Sequence, residues 1–137
     1  MIDKDIMLDR LHSIKNNLDY LQNIKEYSRE EFSSNPDIHY RFERALHLVL
    51  EAVIDTSNHL IAEKNLKTPS TNREIFEVLA DNNLLNQKLA ASLKEMAGFR
   101  NILVHDYLEL DRKKEYEIII ESLVDIKQFY QEILKQI

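Results

Sequence analysis

The stretch "IHYRFERALHLVLEAVIDTSNHLIAEK", residues 38–64, decides the fold of this chain. Its apolar residues recur at helical spacing and cover more than half of the circumference of one long helix. Such a helix must be surrounded by others, so the stretch predicts the most buried element of an all-α protein. The preceding "SSNPD" (33–37) marks a break, because the residue before a proline is pushed out of the helical region.

Four further helices are predicted around this one. Amphipathic or capped segments cover residues 3–27, 71–81, 86–107 and 115–137, and Thr71 with Glu74 forms a capping box for the short second segment. One glycine and two prolines in 137 residues leave few helix breakers. Since no strand-like alternation is present, we expect an all-α up-and-down bundle of four long helices and one short helix, forming a single domain over residues 1–137.

Composition narrows the classes of function. The chain is 44% hydrophobic and 31% charged and contains no cysteine, which excludes disulfides, thiol nucleophiles and thiolate metal sites. Its N-terminal sequence has no uninterrupted apolar run, so neither a signal peptide nor a membrane anchor is predicted and the cytoplasm is the expected compartment. A net charge of −6 argues against a wide basic surface for nucleic acid, but it is compatible with an enzyme that engages RNA at a small local site.

An arginine interrupts the apolar pattern of the fourth predicted helix in "MAGFRNILVHDY", residues 96–107. At about 100° per residue, Arg100 lies near the middle of an apolar arc that contains Leu89, Leu93, Met96, Leu103, Val104 and Tyr107. Because an unpaired buried charge is costly, this arginine is expected to have a partner. Asp55 and His59, one turn apart on the second helix, are candidates, and Glu51 lies nearby. An Asp55 paired with Arg100 would hold the guanidinium in place, and such a pair could also be purely structural.

A polar edge borders this apolar arc. Asn101 and His105 are one turn apart and lie roughly 100–140° from Arg100 around the helix. Gly98, the only glycine, precedes them although glycine costs about 1 kcal/mol relative to alanine within a helix. Close approach of another group to the backbone is therefore expected there. The spacing alone leaves open a structural ion pair and an ordinary surface or core histidine.

The stretch "RNILVHDY" has the form Arg-x4-His-x-Tyr, with Asn101 directly after the arginine. It resembles the signature of the HEPN superfamily, in particular the HepT-like branch of bacterial toxin ribonucleases. The surrounding "MAGFRNILVHDY" is similar to that branch beyond the bare motif. So is "FERALHLVLEAVIDTSNHLIAE" (42–63), with its Ile-Asp and its downstream Asn-His. The helix count agrees with their bundle, so the resemblance covers essentially the whole chain.

The resemblance implies a metal-independent endoribonuclease without a cofactor, acting as a homodimer in which the Arg-x4-His helices of two protomers face each other. Attack of the RNA 2′-hydroxyl on the adjacent phosphate would leave a 2′,3′-cyclic phosphate and a 5′-hydroxyl. Arg100 would stabilise charge on the phosphoryl oxygens, and His105 would act as general acid and base. Asn101 would orient the substrate or the histidine.

The resemblance also implies a role for Tyr107, because the tyrosine of His-x-Tyr resembles an acceptor for AMP. The donor enzyme would be a partner antitoxin of the MNT type, a minimal nucleotidyltransferase. A tyrosine that merely closes the core at a helix end is the alternative for this residue. For the whole chain, the alternative is a catalytically silent HEPN-type helical dimer that serves as an interaction or nucleotide-binding module.

Overall fold

The computed structural model describes residues 3–105 and 111–137, without the side chains of residues 102–105. These ranges contain six α-helices and no strand. The helices are α1 (Lys4–Gln22), α2 (Arg29–Ser34), α3 (Pro36–Glu63), α4 (Asn72–Asp81), α5 (Gln87–His105) and α6 (Arg112–Leu134). The predicted all-α fold is confirmed.

Short polar side chains define where five of these helices begin. The side chains of Asp3, Asn35, Thr71, Asn86 and Asp111 accept hydrogen bonds from backbone amides at the starts of α1, α3, α4, α5 and α6. These amides have no partner within the helix, so each cap satisfies donors that would otherwise depend on solvent.

The segment between the first two predicted helices differs from the expectation. The helix predicted over residues 3–27 ends at Gln22, and a 3-10 turn follows at Asn23–Glu26. The helix α2 was not predicted. It is closed by a full capping box, in which Ser28 Oγ accepts from the Glu31 amide at 3.0 Å and Glu31 Oε1 accepts from the Ser28 amide at 3.1 Å. Its six residues are too few to produce a periodic apolar pattern.

The capping box predicted at α4 forms only in part. Thr71 Oγ1 accepts from the Glu74 amide at 3.1 Å, as expected. The Glu74 carboxylate instead accepts from the amide and hydroxyl of Ser70, at 3.0 Å and 2.5 Å. These bonds to Ser70, with the nearby Lys67 ammonium, lower the pKa of Glu74 to about 2.

The helix α3 is the most buried element, as its sequence predicts, with fifteen buried residues. It packs against α1, α2, α4, α5 and α6. The neighbouring helices contribute apolar faces at helical spacing, namely Met7, Leu11, Ile14, Leu18 and Leu21 from α1, Leu89, Ala90, Leu93, Met96 and Ala97 from α5, and Ile119, Leu123, Ile126, Phe129 and Ile133 from α6. No helix within the described ranges combines the length and the hydropathy needed to cross a bilayer.

A buried charged cluster attaches the start of α6 to α3. The Arg112 guanidinium contacts the Glu43 carboxylate, and its Nη1 lies 3.5 Å from Glu115 Oε1. The Glu43 and Glu115 side chains are 7% and 0% exposed. One guanidinium cannot neutralise two buried carboxylates. Burial therefore raises the pKa of Glu115 from its ordinary 4.5 to about 8, although the charge of Arg112 opposes the shift.

Candidate active site

Arg100 lies on α5 and is held by a carboxylate of α3. Its Nε donates to Glu51 Oε1 at 2.5 Å, and its Nη2 contacts the same oxygen. The pair is partly buried, with the arginine side chain 24% exposed and the glutamate 33% exposed. The expectation that an arginine in this apolar arc has a partner is confirmed, and the partner is Glu51.

Of the candidate partners, Asp55 does not pair with Arg100. Asp55 is exposed, and it makes no ion pair or hydrogen bond within the described part of the chain. Positions 51 and 55 share one face of α3, but four residues carry the second about 6 Å further along the helix axis. His59 Nε2 lies 3.7 Å from Glu63 Oε1 and contacts its own helix rather than α5. A supporting role for Asp55 and His59 stays a prediction.

His47 contacts the same carboxylate, although the sequence did not predict His47 as part of the site. Its Nε2 lies 3.3 Å from Glu51 Oε1, one turn away on α3. A carboxylate oxygen only accepts, so Nε2 is the donor in this contact. The histidine-to-glutamate spacing of four residues was the available signal, because residues so spaced are neighbours on a helix surface. Glu51 thus holds an imidazole and a guanidinium together.

The opposite side of the Arg100 guanidinium faces Asn101. The Asn101 side chain is exposed, and its Oδ1 accepts a long hydrogen bond of 3.5 Å from Arg100 Nη1. A guanidinium has five N–H donors, of which Glu51 occupies those on Nε and Nη2. The remaining donors and the partial exposure of the side chain leave room for a phosphate group.

The remaining two predicted residues, His105 and Tyr107, fall at and beyond the edge of the described part of the chain. His105 is the last residue of α5, and its side chain is outside the described part of the chain. Tyr107 lies outside the described residues altogether. Position 105 follows Arg100 by five residues. It therefore lies about 7.5 Å further along the helix axis and about 140° around it. The roles of both residues stay predictions.

The close approach expected at Gly98 is confirmed, and the approaching group is Arg73. A Cβ atom added at Gly98 would lie 3.3 Å from Arg73 Nη1, which is closer than ordinary van der Waals contact. One turn earlier on α5, Lys94 Nζ contacts Glu77 Oε1 of α4 at 2.5 Å. The two helices therefore run side by side, and α4 places a second guanidinium next to the helix that carries Arg100.

The described residues around Arg100 suit the binding of an anion. Within residues 3–105 and 111–137, no three histidine, aspartate or glutamate side chains are grouped so that they could hold a metal ion. What they do bring together is a partly exposed guanidinium, a carboxamide and an imidazole, which suit the binding of an oxyanion.

An all-α bundle with an Arg-x4-His helix beside its most buried helix defines the HEPN class. A model of the family described as Ribonuclease HepT-like matches residues 14–133. The chain is also 32% identical, over 128 residues, to the mRNA nuclease HepT of Shewanella oneidensis, an alignment that covers 91% of this chain and 93% of that protein. The chain therefore belongs to the ribonuclease HepT-like family, which confirms the predicted family and the predicted class of endoribonuclease.

Two other comparisons agree with this assignment. The chain is 28% identical over 132 residues to the tRNA nuclease HepT of Aphanizomenon flos-aquae, covering 96% of this chain and 90% of that protein. The structure of the tri-AMPylated Shewanella oneidensis HEPN toxin in complex with its MNT antitoxin superposes with a TM-score of 0.86 at 32% identity. That match covers 97% of this chain and 98% of the other, and it confirms the HEPN-like fold.

Proposed function

We propose that this chain is a cytoplasmic endoribonuclease toxin that cleaves RNA as a homodimer without a metal ion. The observation that carries the proposal is the partly exposed Arg100 guanidinium, which Glu51 holds at the start of the Arg-x4-His motif. Relatives named as an mRNA nuclease and a tRNA nuclease support RNA as the substrate.

The reaction is an in-line displacement at phosphorus. A histidine, His105, removes the proton of the RNA 2′-hydroxyl, and the resulting oxygen attacks the adjacent phosphorus. The bond to the 5′-oxygen breaks, and this oxygen takes a proton from the His105 of the second protomer. Arg100 binds the phosphoryl oxygens that gain negative charge in the transition state. The products are a 2′,3′-cyclic phosphate and a 5′-hydroxyl, and no water is consumed in this step.

Neutralisation takes place on the same motif. The Shewanella toxin that this chain resembles is tri-AMPylated and bound to an MNT antitoxin. By analogy, an MNT-type nucleotidyltransferase transfers AMP from ATP to the hydroxyl of Tyr107, and pyrophosphate leaves. The added phosphates bring negative charge and bulk to a site that must bind an RNA phosphate. Intact-mass spectrometry after incubation with the antitoxin and ATP should show added AMP, and Tyr107→Phe should show none.

Cleavage assays with purified variants test the catalytic proposal. The wild-type protein should cut a pool of cellular tRNA and mRNA in the presence of EDTA, leaving 5′-hydroxyl ends that a polynucleotide kinase can label. Arg100→Ala and His105→Ala should lose this activity while their circular dichroism spectra remain helical. His12→Ala, a change at an exposed histidine of α1, is the matched control and should cleave normally.

Two results would contradict the proposal. Loss of activity in EDTA would exclude a metal-independent reaction, and unchanged activity in both site variants would exclude the site. Wild-type protein that forms a dimer but cuts no RNA would instead support the catalytically silent interaction or nucleotide-binding module, with which the net charge of −6 is also compatible.

A further inference from the structure

We propose that Arg73 is a second RNA-binding residue, which holds a backbone phosphate on the flank of α5 that carries Asn101 and position 105. The inference rests on the proposed ribonuclease function. Arg73 is exposed on the first turn of α4, and its Nη1 lies against α5 at Gly98, about 160° around the helix from Arg100.

The register of α4 against α5 places this guanidinium on the polar flank of α5. Lys94 of α5 contacts Glu77 of α4. Gly98, four residues later on α5, lies against Arg73, which is four residues earlier on α4. The two helices are therefore antiparallel. Asn101 follows Gly98 by three residues, which is close to one full turn of the helix. Position 105 follows it by seven residues, which is close to two full turns. Arg73 thus lies on the flank that carries both positions, about 10 Å along the axis from the second.

Among the residues that the structure describes, none neutralises the positive charge of Arg73. Glu74 accepts from Ser70 and pairs with Lys67 at 3.3 Å. Glu77 pairs with Lys94. In residues 3–105 and 111–137, Arg73 itself takes part in no hydrogen bond and no ion pair. Glu74 and Glu77, the acidic groups of α4 within about one turn of Arg73, are therefore occupied by lysines, and within the described residues a complete guanidinium charge remains for an anion.

The absence of a side chain at Gly98 allows the Arg73 guanidinium to lie against α5. A methyl group at this position would approach Nη1 to 3.3 Å, so the arginine tip would have to move away from α5. Glycine is unfavourable within a helix, yet it stands at the point where a second cation reaches the polar flank. A guanidinium on this flank can bind a phosphate of the strand that passes Asn101 and position 105.

The main test compares Arg73→Gln with Lys25→Gln in cleavage of whichever cellular RNA the wild-type protein cuts, either pooled tRNA or an mRNA transcript. Lys25 is exposed on the 3-10 turn that follows α1, and its variant removes the same charge elsewhere. For Arg73→Gln, KM should rise about tenfold because one charge-assisted contact is lost, while kcat stays nearly unchanged. The slope of log KM against log salt should fall by about 0.7, corresponding to one phosphate contact on a single strand.

Further variants separate geometry from charge. Arg73→Lys should retain most of the salt dependence but only part of the affinity, since an ammonium lacks the bidentate fork. Gly98→Ala should raise KM while the thermal midpoint rises, because the added methyl group favours the helix and displaces the arginine.

The possible failures are distinguishable. Active wild-type protein whose Arg73→Gln and Lys25→Gln variants show equal KM values and salt slopes would overturn this inference alone. Wild-type protein that cleaves no RNA would overturn the proposed function and this inference with it.

Discussion

A single oxygen of Glu51 contacts both the guanidinium of Arg100 and the imidazole of His47. This arrangement orients the guanidinium before RNA arrives, which reduces the reorganisation needed when a phosphate binds. The same carboxylate also repels the phosphate and competes for the donors of Arg100. Glu51 is therefore expected to favour turnover at the expense of affinity.

The first prediction concerns Glu51→Gln, which removes the charge but retains a side-chain oxygen. We expect KM to fall, since less negative charge opposes the RNA, and kcat to fall by about 10- to 100-fold, because Arg100 is held less firmly. Steady-state cleavage rates measure both effects. Asp37→Asn, at an exposed position in the first turn of α3, is the control and should change kcat less than about twofold. An equal loss in the two variants would show that Glu51 does not act through its contact with Arg100.

The sequence could predict that Arg100 has a partner but not which residue it is. A helical projection places Arg100 in an apolar arc, and that fact alone requires neutralisation. Glu51 and Asp55 lie only about 40° apart around α3, so a projection treats them as equivalent. Their levels along the axis differ by about 6 Å, and the choice between them depends on how α3 and α5 are aligned. That alignment results from packing of the whole bundle.

At the scale of the helices, two starts were predicted correctly. The helices predicted from residues 71 and 86 are capped in the structure by Thr71 and Asn86. The start of α6 was predicted at residue 115, whereas the helix begins at Arg112 behind the cap Asp111. The end of α1 was placed too late, because Ile24 continues the apolar spacing through a 3-10 turn that still buries it. Burial of an apolar residue does not reveal which kind of helix carries it.

The second prediction tests the cap of the helix that carries Arg100. Asn86 Oδ1 accepts from the Leu89 amide at 2.7 Å, so Asn86→Ala should lower the free energy of unfolding by about 1 kcal/mol. Asn16→Ala is the matched change at an exposed position inside α1, and it should raise this free energy by about 0.5 kcal/mol through helix propensity. Urea titrations measure both values. Changes of the same sign would show that Asn86 does not act as a cap.

At the scale of the whole molecule, the junction of α3 and α6 contains more acid than base. Glu43 and Glu115 are both buried, and Arg112 is the cation that contacts them. Transfer of a second carboxylate from water into this environment is costly unless it is protonated. Folding is therefore coupled to proton uptake by Glu115.

The third prediction follows from the sign of that coupling. Because the pKa of Glu115 is raised from 4.5 to about 8, the native state binds this proton more tightly than the unfolded chain does. The stabilisation that comes from protonated Glu115 is fully present below about pH 4.5 and is lost as the pH rises to about 8. Between pH 5 and pH 9, the wild-type protein should lose roughly 2–4 kcal/mol relative to Glu115→Gln, which mimics the protonated form.

Urea unfolding at the two pH values measures this difference, with Glu121→Gln as a control at an exposed position of the same helix. A stability difference between wild type and Glu115→Gln that is the same at both pH values would contradict the coupling. The control should show the pH dependence of the wild-type protein.

The same cluster restricts how this family can change its sequence. Replacing Arg112 alone leaves two buried carboxylates without this cation, whereas replacing all three residues with apolar residues of similar volume can be neutral or favourable. Chains that lose Arg112 first are therefore expected to be less stable than either end point. Among relatives of this chain, an apolar residue at position 112 is expected to accompany uncharged residues at positions 43 and 115.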